Sequence, residues 1–159
     1  MFHVSSARAT GTEYASHAAE VLLNAGLPDE AASYVGAGEK LIGEIGERYF
    51  EAELLRQRGR LAELGVLDGA DATGGAAEAP AEDRLDTHRI AERYFRRALA
   101  VAEAQGAGLF GLRAASDLAR LLKHEGRHAE ADAVLRPVYA AFTEGFDYPD
   151  LRRARALLT

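Results

Sequence analysis

The chain has 159 residues, a formal charge of -6 and no cysteine. That length sizes it as one domain or a short repeat array. The missing cysteine excludes disulfides and thiolate chemistry, and the acidic balance argues against nucleic acid as a partner. Hydrophobic residues make up 48%, enough for a core. β-branched residues are scarce and no stretch alternates apolar with polar, so the expected class is all-α. The opening MFHVSSARATG lacks the charged and apolar regions of a secretory leader. No apolar run approaches the roughly 20 residues of a membrane-spanning helix. The expectation is a soluble, cytoplasmic protein with no membrane partner.

In chain order, the first predicted helix covers 13–25, with Tyr14, Ala15, Ala18, Ala19, Val21, Leu22 and Ala25 as its apolar stripe. Gly26 follows as a C′ residue, and Leu27-Pro28-Asp29-Glu30 turns the chain into a second helix. That helix covers 29–45, weakened by Gly36, Gly38 and Gly43. A third, 47–64, carries Tyr49, Phe50, Leu54, Leu55, Leu61 and Leu64 inward. Residues 66–87 hold Gly69, Gly74, Gly75 and Pro80 among many acids, without an apolar period, and read as a mobile insertion. A fourth helix covers 88–105, with Asp86 or Thr87 as its cap. A fifth covers 109–125, a sixth 127–144, and a short last helix 149–158 starts at Pro149.

The helices repeat in pairs. Ala15, Ala18, Ala19 and Leu22 precede Gly26 at the same offsets at which Ala115, Leu118, Ala119 and Leu122 precede Gly126. Ala31 and Val35 follow Gly26 as Ala131 and Leu135 follow Gly126. Small residues let two antiparallel helices approach closely, and larger ones fill the gap to the next pair. The middle pair, with Leu55, Gly59 and Ala62 against Ala91, Phe95 and Ala98, fits less neatly.

These residues resemble the tetratricopeptide repeat. The segments GERYFEAELLRQRGRL, AERYFRRALAVAEAQGA, LRAASDLARLLKHEGRHAEA and LRPVYAAFTEGFDYPDLRRARALL further resemble the C-terminal repeat region of bacterial multidomain cyclase-like and signalling-ATPase regulators. Phe142-Thr143-Glu144-Gly145-Phe146-Asp147 is the most specific stretch. The resemblance implies a short right-handed superhelix forming one domain over 1–159. Its repeats would cover about 13–45, 47–105 (with the insertion at 66–87) and 109–144, followed by the helix at 149–158. It brings no active site: no Gly-x4-Gly-Lys-Ser/Thr pattern occurs. Both a stand-alone relative and a piece of a larger regulator stay open.

One motif competes. His124-Glu125-Gly126-Arg127-His128 matches the zinc-protease pattern H-E-x-x-H, which needs both His on one face of an unbroken helix. Gly126 falls in the middle, at a predicted turn, so the expectation is no metal and no cofactor. Tyr49-Phe50 and Tyr94-Phe95 read as core aromatics, and the pairs Asp29-Glu30 and Glu82-Asp83 as helix-start charges.

The resemblance places the first helix of each pair on a concave face. Glu13, Ser16 and Glu20, then Glu53, Arg56, Arg60 and Glu63, then Arg113, Ser116, Arg120 and Lys123 would line it. Arg56, Arg60, Arg113, Arg120 and Lys123, with Ser116, are the candidate partner-binding residues, a basic strip suited to an acidic peptide or chain terminus. The expected function is a non-catalytic scaffold of a bacterial signalling or transcription-regulatory system. A homo-oligomerisation module, possible as a homodimer, is the alternative, and a metal hydrolase built on His124, Glu125 and His128 the weaker one.

Overall fold

The computed structural model describes the backbone of residues 3–66 and 81–159, and the side chains of 11–66 and 87–159. Seven helices form among these residues, with no strand: α1 (His3–Asn24), α2 (Pro28–Ile45), α3 (Glu51–Glu63), α4 (Ala81–Gln105), α5 (Gly108–His124), α6 (His128–Ala140) and α7 (Pro149–Leu157). No helix is long and apolar enough to cross a membrane, among the described residues.

The turns that pair the helices follow from glycine. At the end of α1, Gly26 has φ 75°, and the Leu27 N–H donates to the Leu22 carbonyl at 3.0 Å. At the end of α5, Gly126 has φ 77°, and the Arg127 N–H donates to the Leu122 carbonyl at 2.8 Å. Both are Schellman ends, which need a left-handed residue that a side chain would strain. Each sends the chain back along the helix just completed, so α1 packs on α2 and α5 on α6.

α3 and α4 form the middle pair. Leu55 shares a cluster with Ala98, and Gly59 lies under the Phe95 ring, so the two helices run antiparallel. Across pairs, α1 touches α3, α3 touches α5 and α5 touches α7. The second helices α2, α4 and α6 approach one another less closely, α4 and α6 meeting through the Arg96–Glu130 ion pair at 3.8 Å. The first helices therefore form a close row and the second helices an outer, spread one. One apolar cluster centres on Phe95, Leu112, Leu118, Leu122 and Leu135, another on Val35, Leu54 and Leu61.

Several boundaries differ from expectation. α1 begins ten residues earlier than the apolar stripe, at His3. Its Tyr14 and Val21 are 66% and 67% exposed, so they leave the expected core stripe. α3 starts at Glu51 and not at 47, because Gly46 turns left-handed (φ 70°) and the Glu47 carboxylate accepts from the Tyr49 N–H at 2.9 Å. Tyr49 is thereby thrown out, 65% exposed, and Phe50 is only half-buried. Neither is a core aromatic, whereas Phe95 is fully buried. Leu64 is also exposed.

α4 begins at Ala81, so the C-terminal part of the expected loop is helical and Asp86 and Thr87 lie inside the helix instead of capping it. Nothing after Pro80 breaks a helix, and proline suits a helix start. Residues 67–80 of the expected insertion lie outside the described residues. α6 stops at Ala140, short of 144, where the Phe142 N–H donates to the Tyr139 carbonyl and Phe146 folds back on the Tyr139 ring.

Two helical glycines predict opposite responses to one substitution. A Cβ at Gly59 would stand 2.4 Å from the Phe95 ring, whereas at Gly43 it would meet nothing within 4 Å. Gly59→Ala is expected to destabilise by about 1–3 kcal/mol through overpacking. Gly43→Ala is expected to stabilise by about 0.5–1 kcal/mol through helix propensity. Urea unfolding of the two variants checks the difference in sign.

Candidate functional site

The row of first helices carries one continuous charge network. Helical spacing places Glu53, Arg56 and Arg60 on one stripe of α3 and Arg113, Asp117 and Arg120 on one stripe of α5. Arg56 sits at the centre, only 2% exposed. Its Nη1 donates to Asp117 Oδ2 at 2.8 Å, and Nε and Nη2 hold Glu53 in a fork at 3.2 and 3.0 Å. Nη2 also reaches Glu20 on α1. From there the network spreads. Arg60 bridges Glu20 (2.8 Å) and Asn24 (3.0 Å). Arg113 joins Glu53 (3.4 Å) to Asp150 at the start of α7 (3.0 Å). Arg153 donates to the second oxygen of Asp117 at 3.0 Å. Arg120 pairs with Glu63. All four first helices are thus tied through guanidinium–carboxylate contacts.

The electrostatics follow from burial against pairing. Burial pulls the Arg56 guanidinium down, but Glu53, Asp117 and Glu20 more than reverse this and hold it well above its ordinary value. Burial pushes the Glu20 carboxyl up, while Arg56 and Arg60 overcome that and lower it to about 2. At Arg113 and Arg120 burial again lowers, and the hydrogen bonds to Asp150 and Glu63 raise.

The structure brings Arg56, Arg60, Arg113 and Arg120 to one face. It does not leave them as an open basic strip. The guanidiniums of Arg56, Arg60, Arg113, Arg120 and Arg153 are matched one for one by Glu20, Glu53, Glu63, Asp117 and Asp150. Arg56 is sealed from solvent by these partners. Lys123, half-exposed, has no ion-pair or hydrogen-bond partner among the described residues. Ser116 is 4% exposed and its hydroxyl has no hydrogen-bond partner among the described residues, a state shared by Gln57 Oε1. The Gln57 amide nitrogen donates to the Ser16 carbonyl at 2.8 Å and ties α3 to α1.

A second row lies one turn toward the helix starts, and the sequence reading missed it. His17, Phe50 and Phe110 each precede a network residue by three positions (Glu20, Glu53, Arg113). Their rings touch. His17 meets Phe50 at 5.9 Å, Phe50 meets Phe110 at 5.5 Å, and Tyr49 meets both phenylalanines at 5.2 and 5.8 Å. Asp117, Asp150 and Arg153 were missed as well. A readable signal existed for Asp117: a lone carboxylate inside the apolar run Leu112–Leu122 requires a buried partner.

The H-E-x-x-H motif is split. His124 is the last residue of α5 and His128 the first of α6, with Gly126 left-handed between them. Glu125 is engaged by His88 Nδ1 (3.2 Å) and Arg127 (3.0 Å). Arg127 also binds Glu92 and Glu130 and pins this turn to α4. No group of three or more His, Cys, Asp or Glu able to hold a metal occurs among the described residues.

No family model, no curated protein and no solved structure matches the chain.

Removing the central cation strands buried carboxylates. Arg56→Met is expected to cost about 3–5 kcal/mol at neutral pH, measured by urea unfolding. The folded Glu20 carboxyl, near 2 against an ordinary 4.5, stabilises fully above pH 4.5, and that contribution is lost as pH falls toward 2. The unfolding midpoint of the wild type should fall across this window, and less steeply in Arg56→Met. Parallel pH profiles would refute the assignment.

Proposed function

We propose that the chain is a non-catalytic protein-binding module of the tetratricopeptide type, serving as a scaffold in a bacterial regulatory system. In this reading the three helix pairs and α7 build a short right-handed superhelix, with α1, α3 and α5 along its concave side. The contact pattern supports it: first helices pack closely on their successors, whereas second helices stand further apart, with α4 and α6 meeting through the Arg96–Glu130 pair, which bends the array toward the first. The matched offsets around Gly26 and Gly126 support it too.

The observation that carries the binding role is the pair of parallel rows on the inner face. The aromatic row (His17, Tyr49, Phe50, Phe110) is partly exposed, with Tyr49 open to solvent. Beside it the charged row ends in cations that keep solvent access: the Arg120 side chain is 42% exposed, Arg153 53% exposed, and Lys123 is unpaired among the described residues. An extended partner segment with an apolar residue followed by acidic ones matches this order. Its carboxylates exchange with Glu63 on Arg120 and meet Lys123, while the inner pairs around Arg56 stay closed and act as the rigid floor. Arg60 and Arg113 border the same track. A hydrolytic role has no comparable support, because the histidines of the only metal motif diverge at Gly126 and its glutamate is taken by Arg127.

A pull-down from native lysate tests the reading, comparing wild type with an Arg120→Glu, Lys123→Glu variant and with Tyr49→Ala, all of unchanged helicity. Partners retained by the wild type should be lost from the first variant and weakened in the second. Capture unaffected by both would sink the groove assignment.

A further inference from the structure

The uncovered face of the first helix pair carries an inference independent of the groove. Positions on α1 and α5 correspond at a constant separation, as Ala15 and Ala115 or Ala19 and Ala119 show by being equally buried. Tyr14, Ala18 and Val21 therefore correspond to Ala114, Leu118 and Leu121. On α5 these residues are sealed, at 0%, 0% and 1% exposure, by the preceding pair. Ala114, for instance, shares a cluster with Leu55 and Ala98. On α1 the same stripe is open, with Tyr14 and Val21 about two-thirds exposed. Tyr14, His17, Ala18, Val21, Glu30 and Tyr34 line a groove of about 550 Å³ there. The Tyr14 and Tyr34 rings meet edge to face at 6.1 Å and form one wall. The groove has the shape of a seat for a helix, because its internal counterpart seats one.

Charge selects the occupant. Glu13, Asp29 and Glu30 are exposed around this groove, and none pairs with a cation among the described residues. At the other end of the row, α7 buries Leu151 and Ala154 against the core and turns Arg152, Arg155 and Ala156 outward, all exposed. Neither arginine has a carboxylate partner among the described residues. α1 and α7 make no contact among the described residues, since α3 and α5 stand between them. The acids of one end cannot reach the cations of the other within one molecule. Within the chain, the same chemistry already joins neighbouring pairs: Arg56 on the covering helix meets Asp117 on α5.

We propose that the open face of α1 and α2 docks the outer face of α7 from a second copy of the chain, giving head-to-tail self-association. Aliphatic stems and guanidiniums of Arg152 and Arg155 lie over Tyr14 and Tyr34, with Glu30 as their counter-charge. A head-to-tail contact of this kind does not close on itself and forms chains of copies.

Sedimentation equilibrium over a concentration series tests it, with circular dichroism confirming each variant's fold. Wild type is expected to rise from the 17.1 kDa monomer mass through dimer to longer species, and to fall back in high salt. Val21→Arg blocks one end, and Arg152→Glu with Arg155→Glu blocks the other. Each should stay monomeric alone, and an equimolar mixture should form a dimer and stop there. Glu30→Lys, at an exposed position, should weaken association about tenfold. A monomer at every concentration overturns the proposal. So does continued dimerisation of the arginine variant alone, which indicates two α1 faces pairing with each other.

Discussion

The fold depends on one buried cation. Arg56 lies where α1, α3 and α5 come together, and its donors are distributed so that Glu20, Glu53 and Asp117 each belong to a different helix or turn. Taking a guanidinium out of water costs several kcal/mol, which the surrounding carboxylates must return through short, well-aligned contacts. The arrangement tolerates little sliding, because a shift of one helical turn would leave both a buried cation and buried anions unpaired. Apolar contacts between helices are less demanding of register. The charge network therefore sets how the pairs stack, while the alanines and leucines set that they stack.

Close approach supplies the complementary constraint. Gly38 stands against the Leu54 side chain and Ala15, and Gly59 against the Phe95 ring, in positions where even a methyl group intrudes. These glycines weaken their helices locally, but Gly38 lets α2 close on α1 and α3, and Gly59 lets the two helices of the middle pair close on each other. The network and the glycines act together, since guanidiniums on α3 reach α1 and α5 only when the backbones are near.

How much of this was legible in the sequence follows the range of the interactions. The helix pairs and their turns were readable because glycine at C′ and apolar spacing are local signals, and Gly26 and Gly126 behave as their position requires. The shared burial of Ala15 and Ala115 was readable from matched offsets. The different fates of Tyr14 and Ala114 were not, because they depend on whether another pair precedes. The basic residues were expected on one face, and Arg56, Arg60, Arg113 and Arg120 do share one, yet their neutralisation by distant carboxylates was not legible. Glu53 stands at helical spacing three residues before Arg56, but Glu20 and Asp117 lie 36 and 61 residues away, and the lone Asp117 signalled the need of a partner without saying which. Tyr49 and Phe50 were misread for a local reason: Gly46 ends α2 left-handed, and the Glu47 carboxylate holds the Tyr49 N–H, so the expected first turn of α3 never forms.

The balance of charge decides what the inner face can do. A strip with five open arginines would attract any polyanion over a long range. Here the cations are matched by carboxylates, so the long-range field is small and discrimination rests on contact. A ligand gains only where it replaces an existing carboxylate without loss, as at the half-exposed Arg120, or meets a cation with no partner among the described residues, as at Lys123. Near Arg56 no such exchange is open, because displacing Asp117 would leave that carboxylate buried beside an apolar cluster. On the proposed reading, the same network that fixes the stacking confines binding to its edges, and the aromatic row at the other edge supplies the apolar contact that charge exchange alone cannot.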